Sequence, residues 1–187
     1  FFFFVGLHPF SLSKMRELLD INIFMDPEPS LRQRWKVMRD QKERGHSEEQ
    51  VLAQLEKRAP DVKAHIEPQR DYADWVVRYH QEEGSVLSVS HILSNDINLE
   101  WLVEKLEKVA TVESAWQLAS DLKKQQLSFQ GGLHRETIIL WAFDQFPNLF
   151  ELLENEDIEW HSDSMGLAQL IFLSFLNERR KNKEVLR

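Results

Sequence analysis

Residues 21–46, which read INIFMDPEPSLRQRWKVMRDQKERGH, decide the fold of this chain, because a short apolar run passes directly into a helical pattern. The run from Ile21 to Met25 predicts a strand, closed by an Asp-Pro pair. A helix led by Ser30 is then predicted to run to about Arg44. Gly45 follows at the position where helices commonly end in a left-handed residue.

The chain before this stretch shows the same order of elements. Phe1 to Val5 predicts a buried strand, because an aromatic-rich run precedes a glycine turn at residues 6–9. A short helix is predicted from about Ser13 to Leu19. Strand, helix, strand and helix at this spacing are typical of an α/β fold with a parallel sheet.

The predicted helix that ends near Arg44 has a strongly basic face. Between Leu31 and Arg44 the sequence holds six cations and two acids, so this segment carries +4 in a chain of net charge −8. At about 100° per residue, an arc of about 140° holds Lys36, Arg39, Asp40 and Arg44. Such a face suits a phosphate, because arginine presents a planar fork of donors. It is also typical of a solvated helix with i,i+4 ion pairs from Lys36 to Asp40 and from Asp40 to Arg44.

The next elements complete the first half of the chain. Ser47 and Gln50 predict a capping box, and their helix is expected to run to about Lys57 and to stop before Pro60. A further helical piece around residues 65–68 and a strand from Ala73 to Tyr79 follow. Residues 81–84 form the best internal boundary, which divides the chain into domains 1–82 and 83–187.

The second half has a different pattern and predicts a mixed α+β extension. The predicted elements are a strand Val86–Leu93, a helix Asn98–Lys108, an antiparallel pair Val112–Leu118 and Gln126–Phe129, and two helices, His134–Phe146 and Met165–Arg179. One aromatic-rich group is expected in the core, with a subunit interface as the alternative: Trp141, Phe143, Phe146, Leu149 and Phe150.

Composition excludes several classes of function. The 187 residues contain no cysteine, which excludes disulfides, thiolate metal sites and a cysteine nucleophile, and favours a reducing cytoplasm. The acidic balance argues against a nucleic-acid partner. The seven histidines are scattered without metal-ligand spacing, so no metal site is expected. The apolar runs are too short or too closely flanked by charge to cross a membrane.

Four segments, in order, resemble the phosphoribulokinase and uridine kinase family. They are the Gly-Leu-His-Pro turn at residues 6–9, residues 19–26, the Trp-Lys pair with Arg-Asp-Gln-Lys-Glu-Arg-Gly-His at 35–46, and Ile-Glu-Pro-Gln to Tyr-Ala-Asp at 66–74. The turn and the Pro-Gln segment are more similar to phosphoribulokinases than to uridine kinases. The resemblance covers residues 1 to about 80 and extends more weakly to residues 122–131 and 164–179.

The resemblance implies a P-loop-kinase-like fold and an activity. Members of the phosphoribulokinase branch transfer the γ-phosphoryl group of MgATP to ribulose 5-phosphate, which gives ribulose 1,5-bisphosphate. By this resemblance Arg39 and Arg44 are lid arginines that contact nucleotide or sugar phosphate, and Lys36 belongs to the same face. Asp40 is an acid important for activity, which either touches substrate or orients the arginines. A cytoplasmic homo-oligomer with ATP and a sugar phosphate as partners is expected.

Three further residues receive roles from the resemblance, each beside a plainer reading. Lys57 and Arg58 are similar to a basic pair linked to regulation or subunit contact, or are helix-end cations favoured by the helix dipole. His8 is either a substrate contact, because α/β folds place ligands at strand ends, or part of the turn structure.

The sequence also departs from the family pattern. No glycine is followed by lysine, so the phosphate-binding G-x-x-x-x-G-K-[ST] loop is absent, and Val5 stands where the family carries a glutamate. We therefore expect a fragment that lacks the ATP-binding loop, a catalytic aspartate and the ligands of Mg²⁺, and that is inactive by itself. The alternatives are a uridine or nucleoside kinase-like enzyme and a non-catalytic, kinase-derived binding or oligomerisation module.

Overall fold

The computed structural model describes residues 3–81, 85–149 and 158–185, the last four as backbone only. The chain divides into two compact units, Phe1–Ile92 and Leu93–Arg187. This division falls within the strand Ser88–Ser94. Residues 82–84 lie outside the described residues, so the domain boundary expected near residue 82 stays a prediction.

The first unit contains a parallel strand pair joined by a long helical connection. Its elements are α1 Ser13–Arg16, β1 Ile23–Pro27, α2 Pro29–Arg44, α3 Glu48–Asp61 and β2 Trp75–His80. Strands β1 and β2 run parallel, in a register from Ile23 opposite Trp75 to Pro27 opposite Tyr79. Parallel neighbours require such a crossover, and here α2 and α3 supply it. The predicted strand, helix and strand of this region are confirmed.

Both ends of the α2–α3 junction follow their sequence signals. Gly45 ends α2 in the left-handed conformation, at φ 66°, and the His46 amide donates back to the Asp40 carbonyl at 3.2 Å. Ser47 then caps α3, because the Gln50 amide donates to its hydroxyl oxygen while the Ser47 amide donates to the Gln50 side chain. The C′ glycine and the capping box are therefore confirmed.

The predicted stop of this helix before Pro60 is wrong. Pro60 lies inside α3, and the helical course continues through a π-helical turn, Val62–Ile66, and a 3₁₀ turn, Glu67–Tyr72. The proline ring holds φ near the helical value, so Pro60 removes one amide donor in the last turn without redirecting the backbone.

The predicted strand at the N-terminus is also wrong where the structure describes it. Residues 3–5 lie outside the sheet, and Phe3, Phe4 and Val5 are 75%, 63% and 98% exposed. A strand needs a neighbouring strand for its hydrogen bonds, and β1 is the edge of the described sheet on this side. Helix α1 is likewise shorter than predicted and ends at Arg16.

The remaining elements form a mixed second half. They are β3 Ser88–Ser94, α4 Glu100–Leu106, β4 Val112–Leu118, β5 Lys124–Gly131, α5 Arg135–Gln145 and α6 Asp163–Val185. Strands β4 and β5 pair antiparallel, as predicted, from Val112 opposite Gly131 to Leu118 opposite Gln125. The five described strands form one mixed sheet in the order β1-β2-β3-β5-β4.

The cores of the two units form around different residues. In the first unit Phe10, Ala73 and Val76 are buried together. In the second unit Gly166 lets α6 approach α5, because an added Cβ would lie 2.7 Å from a side-chain carbon of Ile138. Of the predicted aromatic group, Trp141, Phe146 and Leu149 are buried and Phe143 is 43% exposed, while Phe150 lies outside the described residues.

Candidate functional site

The basic face of α2 is organised around one buried carboxylate. The Asp40 side chain has no exposed surface, and it accepts hydrogen bonds from the Lys36 ammonium and from Nε and Nη2 of Arg39, the latter two at 3.0 and 2.9 Å. The Arg44 guanidinium lies 3.5 Å from the same carboxylate. We call Lys36, Arg39, Asp40 and Arg44 the α2 cluster. The four residues predicted for this face thus meet at one point.

Helical geometry explains this convergence. Lys36, Asp40 and Arg44 are spaced four residues apart, so they stack on one side of α2, and Arg39 folds over the same carboxylate from its neighbouring position. Both i,i+4 pairs predicted for a solvated helix are therefore present. The burial of Asp40 beneath three cations is the additional feature that the pattern does not show.

The charges of the α2 cluster determine the ionisation of Asp40. The hydrogen bond from Lys36 is the largest influence and, with that of Arg39, lowers the pKa of Asp40 to about 2, although burial opposes this change. Asp40 is therefore ionised at neutral pH, where a carboxylate with so low a pKa is a weak proton acceptor.

The cluster presents unused donors to solvent. Three cations surround one carboxylate, which leaves a net positive charge of two. The side chains of Arg39 and Arg44 are 50% and 54% exposed, whereas that of Lys36 is only 18% exposed. The two guanidinium groups are therefore the ones positioned to contact an incoming anion, and Lys36 mainly holds Asp40.

The N-terminal half of α2 contacts the end of β2. The Glu28 amide donates to the Tyr79 carbonyl at 3.0 Å, and the Trp35 and Tyr79 rings pack edge to face with centroids 5.5 Å apart. Leu31 is buried on the same side of the helix. The first half of α2 is thus anchored, while the α2 cluster lies in its second half.

A second charged group lies at the carboxyl ends of the parallel strands. Asp26 of β1 accepts two hydrogen bonds from Arg78 of β2, at 3.1 and 3.2 Å, and Arg70 lies 3.5 Å from the same carboxylate. Glu28 contacts His80 beside it. Sequence reasoning missed this group. The predicted strands alone could have suggested it, because parallel pairing sets Asp26 opposite Arg78.

The Gly-Leu-His-Pro turn is held by a buried glutamine. Gln69 is 3% exposed, and its amide nitrogen donates to the carbonyls of Leu7 and His65 at 2.8 and 2.9 Å. The Phe10 amide donates to the Gln69 oxygen at 3.4 Å. His8 itself is exposed, and no hydrogen bond or ion pair among the described residues joins it to the α2 cluster. His8 and the α2 cluster therefore have no direct polar contact among the described residues.

The remaining predicted residues lie apart from these groups. Lys57 and Arg58 are exposed on α3 and, within the described part of the chain, their side chains make no ion pair or hydrogen bond. Their role in regulation or subunit contact stays a prediction. Val5 is exposed and carries no ligand atom.

The described residues contain no cluster of side chains that could hold a metal ion by themselves. Among residues 3–81, 85–149 and 158–181 no three His, Cys, Asp or Glu side chains could together hold a metal. The side chain of Val5 cannot coordinate one either.

In the described part of the chain, no helix is long and apolar enough to cross a membrane.

The chain has a parallel β1–β2 pair with a helical crossover and flanking helices. This arrangement is an α/β fold of the P-loop-kinase class. Residues 1–84 match the family model "Phosphoribulokinase / Uridine kinase family". This part of the chain is therefore similar to the phosphoribulokinase and uridine kinase family.

Individual relatives agree with this assignment. A chloroplastic phosphoribulokinase of Spinacia oleracea is 43% identical over 94 residues, which are 46% of this chain and 23% of the relative. A phosphoribulokinase of Synechocystis sp. is 44% identical over 73 residues, or 39% and 22% of the two chains. A uridine kinase of Staphylococcus carnosus is 37% identical over 73 residues, or 38% and 35%.

The matches cover only part of each protein. The chain spans about a quarter of the length of the phosphoribulokinases it matches. The plant relatives are named as chloroplastic, so they give no support for the predicted cytoplasmic location, which stays a prediction.

Proposed function

We propose that this chain is the lid-bearing part of a phosphoribulokinase-like enzyme, which phosphorylates ribulose 5-phosphate with ATP to give ribulose 1,5-bisphosphate. The observation that carries the proposal is the α2 cluster, in which one buried carboxylate holds two half-exposed arginines. The family match over residues 1–84 and the higher identity to phosphoribulokinases than to the uridine kinase support it.

Each residue of the cluster has a distinct role in this proposal. Arg39 and Arg44 bind the phosphate of the sugar or the nucleotide, because their outer N–H groups are accessible. Asp40 orients them and does not accept a proton, since its pKa of about 2 makes it a weak base. Phosphoryl transfer depends mainly on positioning and on charge stabilisation, and fixed arginines supply both.

The proposal is tested by binding to the 187-residue chain, which does not require turnover. Ribulose 5-phosphate is titrated while the side-chain Nε–Hε resonances of the arginines are followed by NMR. We expect the Arg39 and Arg44 resonances to shift with saturation, and unphosphorylated ribulose to leave them unchanged. Inorganic phosphate shows how much of the affinity comes from the anion alone.

Variants on α2 give a matched comparison. Arg39→Ala and Arg44→Ala should each weaken binding of ribulose 5-phosphate about tenfold, which is the effect of losing one charge-assisted contact. Arg32→Ala is the control, because Arg32 is exposed on the same helix and lies outside the α2 cluster. Equal effects of the three variants, or no shift at Arg39 and Arg44, would contradict the proposed role.

A nucleoside kinase is the second candidate, favoured by the match to the uridine kinase of Staphylococcus carnosus. Uridine carries no phosphate, so in that case the α2 cluster would bind only the nucleotide. Titration with uridine and with ribulose 5-phosphate separates the two functions, because only a nucleoside kinase is expected to bind uridine as its acceptor. A third possibility, a non-catalytic binding module, is favoured by Val5 and predicts no response to any of these ligands.

A further inference from the structure

The Pro-Gln segment that marks the resemblance has a structural partner in the Gly-Leu-His-Pro turn. Gln69 lies in the 3₁₀ turn Glu67–Tyr72, and the segment it contacts, residues 7–10, is about sixty residues earlier in the chain. Two of the four segments that carry the resemblance are thus joined by a single side chain.

The amide group of Gln69 is used completely. Its two N–H donors meet the carbonyls of Leu7 and His65, and its oxygen accepts from the Phe10 amide. Buried polar groups are costly unless they are hydrogen-bonded, so this set of bonds defines one orientation of the amide. A glutamate at position 69 would place a carboxylate oxygen, which can only accept, against two carbonyl oxygens that also only accept. A leucine there would make none of the three hydrogen bonds.

The two bonds to the turn lie on either side of His8. Leu7 precedes it, and Phe10 follows it after one proline, which itself restricts the backbone. The backbone that carries the exposed His8 ring is therefore fixed at both ends by Gln69. Phe10 is buried next to this bond and adds a packing anchor.

We propose that Gln69 is a positioning residue, which holds the residue 7–10 turn so that the His8 imidazole faces the phosphorylated sugar. We call the three hydrogen bonds of the Gln69 side chain the clamp. The clamp does not depend on the proposed function, whereas the role of His8 toward a sugar phosphate does. Gln69 acts through the turn and does not itself touch the ligand.

The first test uses the unmodified 187-residue chain and needs no ligand. The side-chain amide protons of Gln69 should exchange with solvent at least tenfold more slowly than those of Gln54, which is exposed on α3 of the same unit. Equal exchange rates would overturn the clamp, whatever the substrate is.

The second test compares Gln69→Glu and Gln69→Leu with the control Gln54→Glu by backbone relaxation. We expect the order parameters of residues 7, 8 and 10 to fall from about 0.85 to below about 0.6 in both Gln69 variants, while strands β1 and β2 and the control variant keep rigid values. Unchanged order in the turn would overturn the proposal. Loss of order throughout the first unit would also do so, because Gln69 would then act as a general core residue.

Titration with ribulose 5-phosphate then separates the positioning role of Gln69 from the proposed function of the chain. In the Gln69 variants we expect the dissociation constant to rise severalfold while the Arg39 and Arg44 resonances still shift at saturation. If the unmodified chain binds no ribulose 5-phosphate, the proposed function fails, and the clamp is judged by the exchange and relaxation results alone. Unchanged affinity with a mobile turn would contradict the role of His8.

Discussion

Asp40 alone pairs with all three cationic side chains of the α2 cluster. Its carboxylate is fully buried although it lies on a solvent-facing part of α2, because the side chains of Lys36, Arg39 and Arg44 cover it. A charge that is paired and hydrogen-bonded in this way tolerates removal from water. Removing the carboxylate would leave three cations facing one another.

We expect Asp40→Asn to lower the stability of the first unit near pH 7 and to release the arginines. The pKa of Asp40 is lowered from 3.8 to about 2, so its stabilising effect is complete above about pH 4 and is lost as the pH falls toward 2. Urea unfolding at a series of pH values should therefore show a deficit that shrinks below about pH 4. Glu43→Gln, an exposed acid on the same helix, is the control. A deficit of the same size at every pH would contradict the role of the charge.

His91 gives a pH dependence of the same sign within the same unit, but in a higher pH range. Its ring is fully buried, and its Nδ1 accepts from the Trp75 indole at 3.2 Å. Its Nε2 is buried and has no hydrogen-bond partner among the described residues. Burial lowers the pKa of His91 from 6.5 to about 3, so the ring is neutral in the folded chain.

The unfolded chain binds a proton at His91 below about pH 6.5, whereas the folded chain does not. Stability should therefore fall as the pH decreases from about 6.5 toward 3, with a slope approaching about 1.4 kcal/mol per pH unit. His91→Gln should reduce this slope in urea unfolding measured between pH 7 and 5. His65→Gln is the matched control, because His65 is exposed in the same unit. Equal slopes in wild type and His91→Gln would rule out His91 as the source.

At the scale of elements, α2 depends on its C-terminal glycine. Gly45 has φ 66°, a conformation that costs other residues about 1 to 2 kcal/mol, and no atom lies within 4 Å of an added Cβ. Gly45→Ala should therefore destabilise the first unit by about 1 kcal/mol through backbone strain alone. Gly6→Ala is the control, since Gly6 has the same open space but no left-handed φ. Urea unfolding that ranks the two variants equally would contradict this explanation.

Local signals were sufficient to predict several elements. The bounds of α2, the glycine after it and the Ser47 cap depend on residues within one or two turns, and buried and less buried residues alternate along β5. The predicted N-terminal strand failed in its described residues, 3–5, because pairing depends on a neighbouring strand that the local pattern does not reveal. The stop predicted at Pro60 failed because a proline in a last turn costs little.

The sequence predicted which residues form the candidate site, but it did not predict how their side chains are arranged. Helical spacing placed Lys36, Arg39, Asp40 and Arg44 on one face. The burial of Asp40 depends on how three long side chains fold over it, which spacing cannot specify. Gln69 was visible only through resemblance, because its partners are distant in sequence.

At the scale of the whole molecule, the proposed activity requires parts that these 187 residues do not contain. The sequence has no Gly-Lys pair for a phosphate-binding loop, and Val5 has no ligand atom. We therefore expect no ribulose 1,5-bisphosphate above background when the chain is incubated with ATP, Mg²⁺ and ribulose 5-phosphate. A coupled assay or chromatography of the products checks this, with Asp40→Asn as the blank. Turnover that Asp40→Asn abolishes would contradict the requirement for a separate ATP-binding loop.

The homo-oligomer expected from the sequence is likewise a property of the whole molecule. Light scattering coupled to size-exclusion chromatography gives the mass directly, and the monomer mass is 22.2 kDa. We expect a dimer or larger species. Lys57→Glu with Arg58→Glu should shift it toward the monomer if this pair lies at the subunit contact.

The constant charge of Asp40 has a final consequence for selectivity. Arginine is permanently charged in proteins, and Asp40 stays ionised above about pH 4, so the charge that this carboxylate brings to the α2 cluster is constant across the physiological pH range. Any pH dependence of phosphate binding by the two arginines between pH 5 and 8 then comes from the ligand. A phosphate monoester takes up its second proton near pH 6, and the dianion is the form that matches the double positive charge. The α2 cluster would thus discriminate between two charge states of one metabolite while the charge of Asp40 stays constant.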